Sequence, residues 1–167
     1  MMRSLRYIGA ILAIIMVLVM GIGVSPSHAG SSTAIRAKDG ILDDYSGQTI
    51  LDLEFYNEQK ALIGKNFSNA NIEGAVMKGS NLQGANLSGA NLNNSFLFQT
   101  NLSKADLTNA IFTEAMLLQT TFDGATITGA DFSYAVITDK NLKVLCEVAE
   151  GTNSVTGADT RESLGCR

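Results

Sequence analysis

From Phe67 to Leu142 an apolar residue returns at every fifth position without a gap, sixteen times in succession. The centres run Phe67, Ile72, Met77, Leu82, Leu87, Leu92, Leu97 and Leu102, then Leu107, Phe112, Leu117, Phe122, Ile127, Phe132, Ile137 and Leu142. A second rule accompanies the first. Two residues before the centres, fourteen consecutive slots from Ala70 to Ala135 hold only Ala, Ser or Thr. This spacing matches neither the period of about 3.6 of an α-helix nor the period of about 2 of a flat strand. An amphipathic helical array would smear such centres around the whole cylinder. The pattern predicts instead a chain that turns a corner every five residues, with the large and the small residue both facing a narrow interior. Opposite walls of that interior leave no room at the small slots for anything bulkier than Thr. Gly74, Gly79, Gly84, Gly89, Gly124 and Gly129, with Asn94 and Asn109, fall at the corners, where permissive backbone angles help.

Segments such as Ala85-Asn86-Leu87-Ser88-Gly89 and Ala105-Asp106-Leu107-Thr108-Asn109 resemble the A(D/N)LxX signature of the pentapeptide-repeat family. The resemblance covers residues 65–144 and implies an all-β solenoid, a right-handed quadrilateral β-helix with four pentapeptides per coil. Sixteen repeats then make about four coils, a shaft ~20 Å long at a strand spacing of ~4.8 Å per coil. Stacking at a spacing of twenty residues sets Phe112 under Phe132 and Phe122 between Leu102 and Leu142. These inward ladders read as core rather than as a cofactor box.

The same stacking sorts the outward positions into columns. Residues just before each centre should meet solvent, and on three sides they are polar apart from Ile111: Asn66, Asn86, Asp106 and Thr126 form one column, and Asn81, Asn101, Thr121 and Asn141 another. The fourth column reads Val76, Phe96, Met116, Val136, with Phe98 and Leu118 beside it in outward slots. A contiguous exposed apolar stripe marks an interface, here for another protein or a second copy of the chain, unless the protein's own N- or C-terminal segment folds back over it.

A solenoid needs a cap at each end. Thr49 to Lys60 is amphipathic and predicts a short helix or irregular cap within an N-terminal tail-and-cap region, 30–64. At the other end, 139–167 predicts a helical cap overlapping the last repeat, with Asp139 as N-cap, a helix to Glu150 and Gly151 as its stop. Leu142, Leu145 and Ala149 would face the last coil.

Before the repeats, Arg3 and Arg6 precede an uncharged apolar run from Ile8 to Val24, then Pro26 and Ser27-His28-Ala29. This predicts an export signal, residues 1–29, cut after Ala29; left uncut, it would be a short membrane anchor and the chain's one membrane contact. The remainder carries 10 Lys and Arg against 16 Asp and Glu, a net charge of −6, which argues against nucleic-acid binding through phosphates. In an oxidising compartment Cys146 and Cys166 predict a disulfide rather than a metal site. The chain's one histidine, His28, leaves with the signal. Closing that loop is worth about 3 kcal/mol in the chain-entropy picture.

Leu145-Cys146, Gly151-Thr152-Asn153, Thr156-Gly157 and the stretch from Thr160 to Cys166 are similar to the C-terminus of thylakoid-lumen pentapeptide-repeat proteins of cyanobacteria and chloroplasts. That resemblance implies delivery to the thylakoid lumen; without it the export signal indicates only a periplasm-like space. Asp106, Glu114, Asp123 and Asp131 fall on different faces, and no Ser or Thr sits beside a base, so no catalytic, cofactor or metal site is expected. Asn66-Phe-Ser68, Asn86-Leu-Ser88 and Asn101-Leu-Ser103 match a glycosylation sequon only because the repeat generates it. The expected role is that of a non-catalytic binding module or scaffold. Imitation of duplex DNA to inhibit a topoisomerase, known in another branch of the family, would need a dense acidic face that the dispersed carboxylates do not provide. A redox-responsive role through Cys146 and Cys166 would need an accessible, labile bridge.

Overall fold

The computed structural model describes residues 33–34 and 42–167. The export segment and most of the expected N-terminal tail lie outside the described residues. Four columns of parallel backbone bridges run along the molecule at a spacing of twenty residues. They join Asn66, Asn86, Asp106 and Thr126; Asn71, Asn91, Ile111 and Asp131; Val76, Phe96, Met116 and Val136; and Asn81, Asn101 and Thr121. Four columns give the coil four sides.

Each side is short because the chain turns at once. The Ala70 N–H returns to the Phe67 carbonyl at 3.0 Å and the Ala75 N–H to Ile72 at 3.1 Å. Groups that the turns leave over are paired between coils: Phe67 N–H donates to Asn86 O at 2.7 Å, and Asn86 N–H to Lys65 O at 2.9 Å. The residue two after each centre from Phe67 to Phe132 takes positive φ. Gly74 (71°) and Asn94 (56°) do so readily, but Gln99, Lys104, Glu114, Gln119 and Tyr134 do so as well. The left-handed conformation costs such residues about 1–2 kcal/mol each; Gln99, Lys104 and Glu114 are held there by N–H bonds to Leu118, Asp123 and Ser133 of the next coil at 2.9–3.1 Å.

Inside, the centres and the small slots of the three coils from Lys65 to Gly124 are buried, except for Lys65 itself at the start. Phe112 stacks on Phe132 with ring centroids 5.3 Å apart and planes within 4°. Three of the four hydroxyls at buried small slots find a carbonyl, and only that of Ser95 lacks a partner. Ser80, Thr100 and Thr120 donate to the carbonyls of Phe55, Met77 and Leu97 at 3.2, 2.7 and 2.6 Å, which offsets the cost of burying them.

Both ends differ from expectation. Thr49 to Lys60 forms no helix; residues 42–64 make a further coil, with Asp44, Thr49 and Glu54 bridged to Asn66, Asn71 and Val76. Tyr45, Ile50, Phe55 and Leu62 are its buried centres, and Tyr45 stacks on Phe67 at 4.6 Å. The extra length lies between Phe55 and Leu62, in an exposed bend that a hydrophobic count at a strict interval of five cannot follow. On this coil's far side β1 (Thr33–Ala34) pairs in parallel with β2 (Ile50–Leu51).

At the C-terminal end the sixteenth repeat is not a coil segment. Its centre, Leu142, lies in α1 (Asp139–Val148). The N-cap is Thr138 rather than Asp139, its hydroxyl accepting from Asn141 N–H, and the helix stops at Ala149, two residues before Gly151. Leu145 and Ala149 are buried and Leu142 is partly buried against the core, so this helix closes the shaft with its apolar side. A second helix, α2 (Thr160–Leu164), starts at Asp159 and ends at Gly165, whose φ of 70° makes it the left-handed cap.

A narrow interior makes volume errors costly in both directions. Phe112→Ala should lose about 3–5 kcal/mol through the cavity it leaves. Ala110→Leu, at an inward slot 0% exposed, should lose at least about 1–3 kcal/mol by overpacking. Denaturant unfolding followed by circular dichroism reads both; an unchanged midpoint for Ala110→Leu would contradict the inward assignment of the small slots.

Candidate functional site

The outward polar columns have a structural job. Asn66, Asn81, Asn86, Asn91, Asn101 and Asp106 each accept, through the side chain, the N–H of the residue two further on, at 2.9–3.1 Å. These local turns stiffen every side on which they occur. Val76, Phe96, Met116 and Val136 occupy the same slot and have no acceptor to offer. The side they share therefore forgoes several bonds, each worth about 0.5–1.5 kcal/mol net, and presents apolar atoms instead.

The four are bridged in sequence, Val76 to Phe96, Phe96 to Met116 and Met116 to Val136, so they form one continuous column. Phe98 lies beside Phe96 with ring centroids 6.2 Å apart. Leu118 occupies the equivalent place one coil on. Val76, Phe96, Met116, Phe98 and Leu118 are half-buried among their own neighbours, while Val136 is 47% exposed. The Lys78 ammonium stands 5.7 Å from the Phe98 ring centroid, a cation–π contact at one edge of the wall. The structure thus brings all six residues of the predicted interface onto one side.

Cover by the chain's own segments is not seen among the described residues. Residues 42–60, the N-terminal candidate, lie in line with the shaft as its first coil, with Glu54 continuing the column before Val76. The C-terminal segment is held elsewhere. Asn153 Nδ2 donates to the carbonyls of Asn109 and Gly129 at 3.1 and 2.9 Å, and Gly129 N–H donates to Glu150 O at 2.8 Å. Gly151 passes so close that an added Cβ would lie 3.0 Å from Gly129 N, so only glycine fits there. Ser163 Oγ then accepts Phe132 N–H at 3.1 Å, which seats α2 against the end of the core.

Cys146 and Cys166 form a disulfide with Cα atoms 5.6 Å apart, joining α1 to the residue after the α2 cap. Arg161 Nη1 donates to Cys146 O at 2.7 Å beside it. Sequence reasoning missed Asp131, which ends a column of outward residues yet is only 3% exposed. Burial opposes its charge, but hydrogen bonds from Ser133, Thr156 and Thr113 outweigh that and hold its carboxyl below the ordinary value. Thr156 belongs to the C-terminal segment, so the carboxylate helps to anchor it. Among the described residues no group of three or more His, Cys, Asp or Glu side chains could hold a metal ion, and no helix is long and apolar enough to cross a membrane.

A four-sided coil of five-residue sides, with large and small residues alternating inward, defines a pentapeptide-repeat β-helix. The family described as Pentapeptide repeats matches residues 66–103 and 100–139, in eight copies. The chain is similar to a crystal structure of a pentapeptide repeat protein from the Arabidopsis thaliana thylakoid lumen. The two are 38% identical with a TM-score of 0.70, over 75% of this chain and 86% of the other. It is also 58% identical over 36 residues to the chloroplastic thylakoid lumenal protein TL20.3 of Arabidopsis thaliana, a match spanning 22% of this chain and 13% of that relative. The chain belongs to the pentapeptide-repeat family, whose members form right-handed quadrilateral β-helices.

The Asp131 carboxylate generates a pH prediction. Its folded pKa is depressed, so its contribution is present above the unfolded value of about 3.9 and is lost as pH falls through the folded value. Asp131→Asn should be less stable than wild type at pH 7, and the gap should close below about pH 4. Melting temperatures from pH 7 to 2 check this; parallel curves would remove the role given to the carboxylate.

Proposed function

We propose that this chain is a non-catalytic binding module of the thylakoid lumen that acts through protein–protein contacts made by the apolar wall. One observation carries the reading: Val76, Phe96, Met116 and Val136 replace, on one side, the turn-forming Asn and Asp that stabilise the others. A residue choice that weakens the local fold and leaves apolar surface outward is accounted for by a surface that meets it. The partner is another protein or a second copy of the chain. The disulfide closes the C-terminal cap.

The lumenal location is supported by the relatives, both described as proteins of the thylakoid lumen. The apolar N-terminal run and its Ser27-His28-Ala29 exit fit export, which alone would suit a periplasmic space as well.

Mild crosslinking and affinity capture from lumen extract, with wild type and Phe96→Asp side by side, tests the reading. Circular dichroism first establishes that the variant folds. The expected result is a discrete partner held by wild type and reduced at least about tenfold with the variant, since a charge in an apolar contact leaves an unpaired ion. Equal recovery by both proteins would remove the wall from the function.

A further inference from the structure

We propose that the wall docks on the wall of a second copy, with the two shafts antiparallel about a two-fold axis lying between the coil of Phe96 and that of Met116. This rests on the reading of the wall as an interface and names its occupant. A two-fold axis in the plane of contact and perpendicular to the shaft reverses the order of coils while keeping each column on itself. Phe96 then meets the second copy's Met116, Phe98 meets its Leu118, and Val76 meets its Val136. Each aromatic side chain of one copy faces an aliphatic or thioether side chain of the other, and each valine faces a valine.

The charged groups at the ends of the wall fit the same operation. Lys78 stands exposed one coil before Phe98, and Asp139 stands exposed beside Thr138, one coil after Leu118. The axis carries Lys78 of one copy next to Asp139 of the other, twice per dimer. A parallel dimer, with its axis along the shaft, would instead set each column against its neighbour at the same level. That places the Lys78 ammonium over Val76 of the other copy and leaves Asp139 with no opposite charge, so an ion is desolvated without compensation. The wall is complementary to itself in the antiparallel register alone of the two.

The wall is ~20 Å tall at ~4.8 Å per coil, and only two columns wide. It is small beside the ~800 Å² per partner of a standard interface. The dimer should accordingly be weak, dissociating on the order of tens of micromolar.

Sedimentation velocity on the purified protein, its N-terminus read by mass spectrometry, tests this between about 1 and 500 µM. Wild type is expected to pass from monomer to dimer across that range. Lys78→Glu and Asp139→Lys should each weaken association at least tenfold, because each homodimer then carries two like-charge contacts. Mixing the two variants should restore a heterodimer to within about threefold of wild type, since both contacts become attractive again. Failure of the mixture to recover, or a wild-type monomer at the highest concentration, overturns the proposal. Phe96→Asp separates it from the reading beneath. If capture from lumen extract still depends on Phe96 while wild type stays monomeric, the wall is an interface for a different protein and the self-docking alone is wrong. If Phe96→Asp dimerises as wild type does, the dimer does not use the wall and this proposal fails.

Discussion

Backbone pairing between successive coils is the constraint from which the rest follows. A chain that turns every five residues cannot satisfy its own amides within one coil, so each coil must present N–H and C=O groups in register with the next. The bridges from Asn66 to Asn86 to Asp106 to Thr126 are that register made visible. Closure in a fixed number of residues leaves a narrow interior, and the narrow interior demands Ala, Ser or Thr opposite the large centres. The first coil departs from the rule, with Leu53 buried at the slot that Ala75 holds one coil on. The first coil is two residues longer, with Glu54 bridged to Val76 twenty-two positions on, and the surplus is put into the bend before Leu62, where Asn57 N–H and Glu58 O still pair with Lys78 O and Asn81 N–H of the next coil.

With the interior committed to packing, differences between proteins of this shape have to be written on the outside. The outward slot before each centre has two uses. Filled by Asn or Asp, it accepts the N–H two residues on and strengthens its own turn, as Asn86 does for Ser88 at 3.0 Å. Filled by Val, Phe or Met, it gives up that bond and offers surface. The wall holding Phe96 and Met116 takes the second option through four consecutive coils. On the sides next to it Asn81, Asn91, Asn101 and Asp131 keep the first.

The C-terminal end shows how a repeat is stopped. Thr138 caps a helix in place of the next corner, and α1 lays Leu145 and Ala149 across the open core. From there the chain returns along the shaft, pinned by Asn153 to carbonyls of Asn109 and Gly129 and by the buried Asp131 through Thr156. The Cys146–Cys166 disulfide joins the start of this excursion to its end. Each contact is made once, between residues far apart in sequence, and none of them repeats.

That distinction separates what the amino-acid sequence determined from what the tertiary structure decided. Periodic features were legible because the same local interaction recurs along the whole shaft: the four sides, the Phe112–Phe132 stack, the polar columns and the apolar wall all follow from counting in fives and twenties. The extra first coil was half legible. Tyr45, Ile50 and Phe55 keep the interval, but the longer step to Leu62 breaks the count, and a pattern of three centres does not stand out from an amphipathic segment. The burial of Asp131 and the close pass of Gly151 over Gly129 depend on where the returning chain lands. So did the placing of residues 42–60, since whether they stack in line or fold over the wall is settled by ladder bonds rather than by their own polarity. Repetition wrote the shaft into the sequence; single long-range contacts, which leave no period behind, decided its ends.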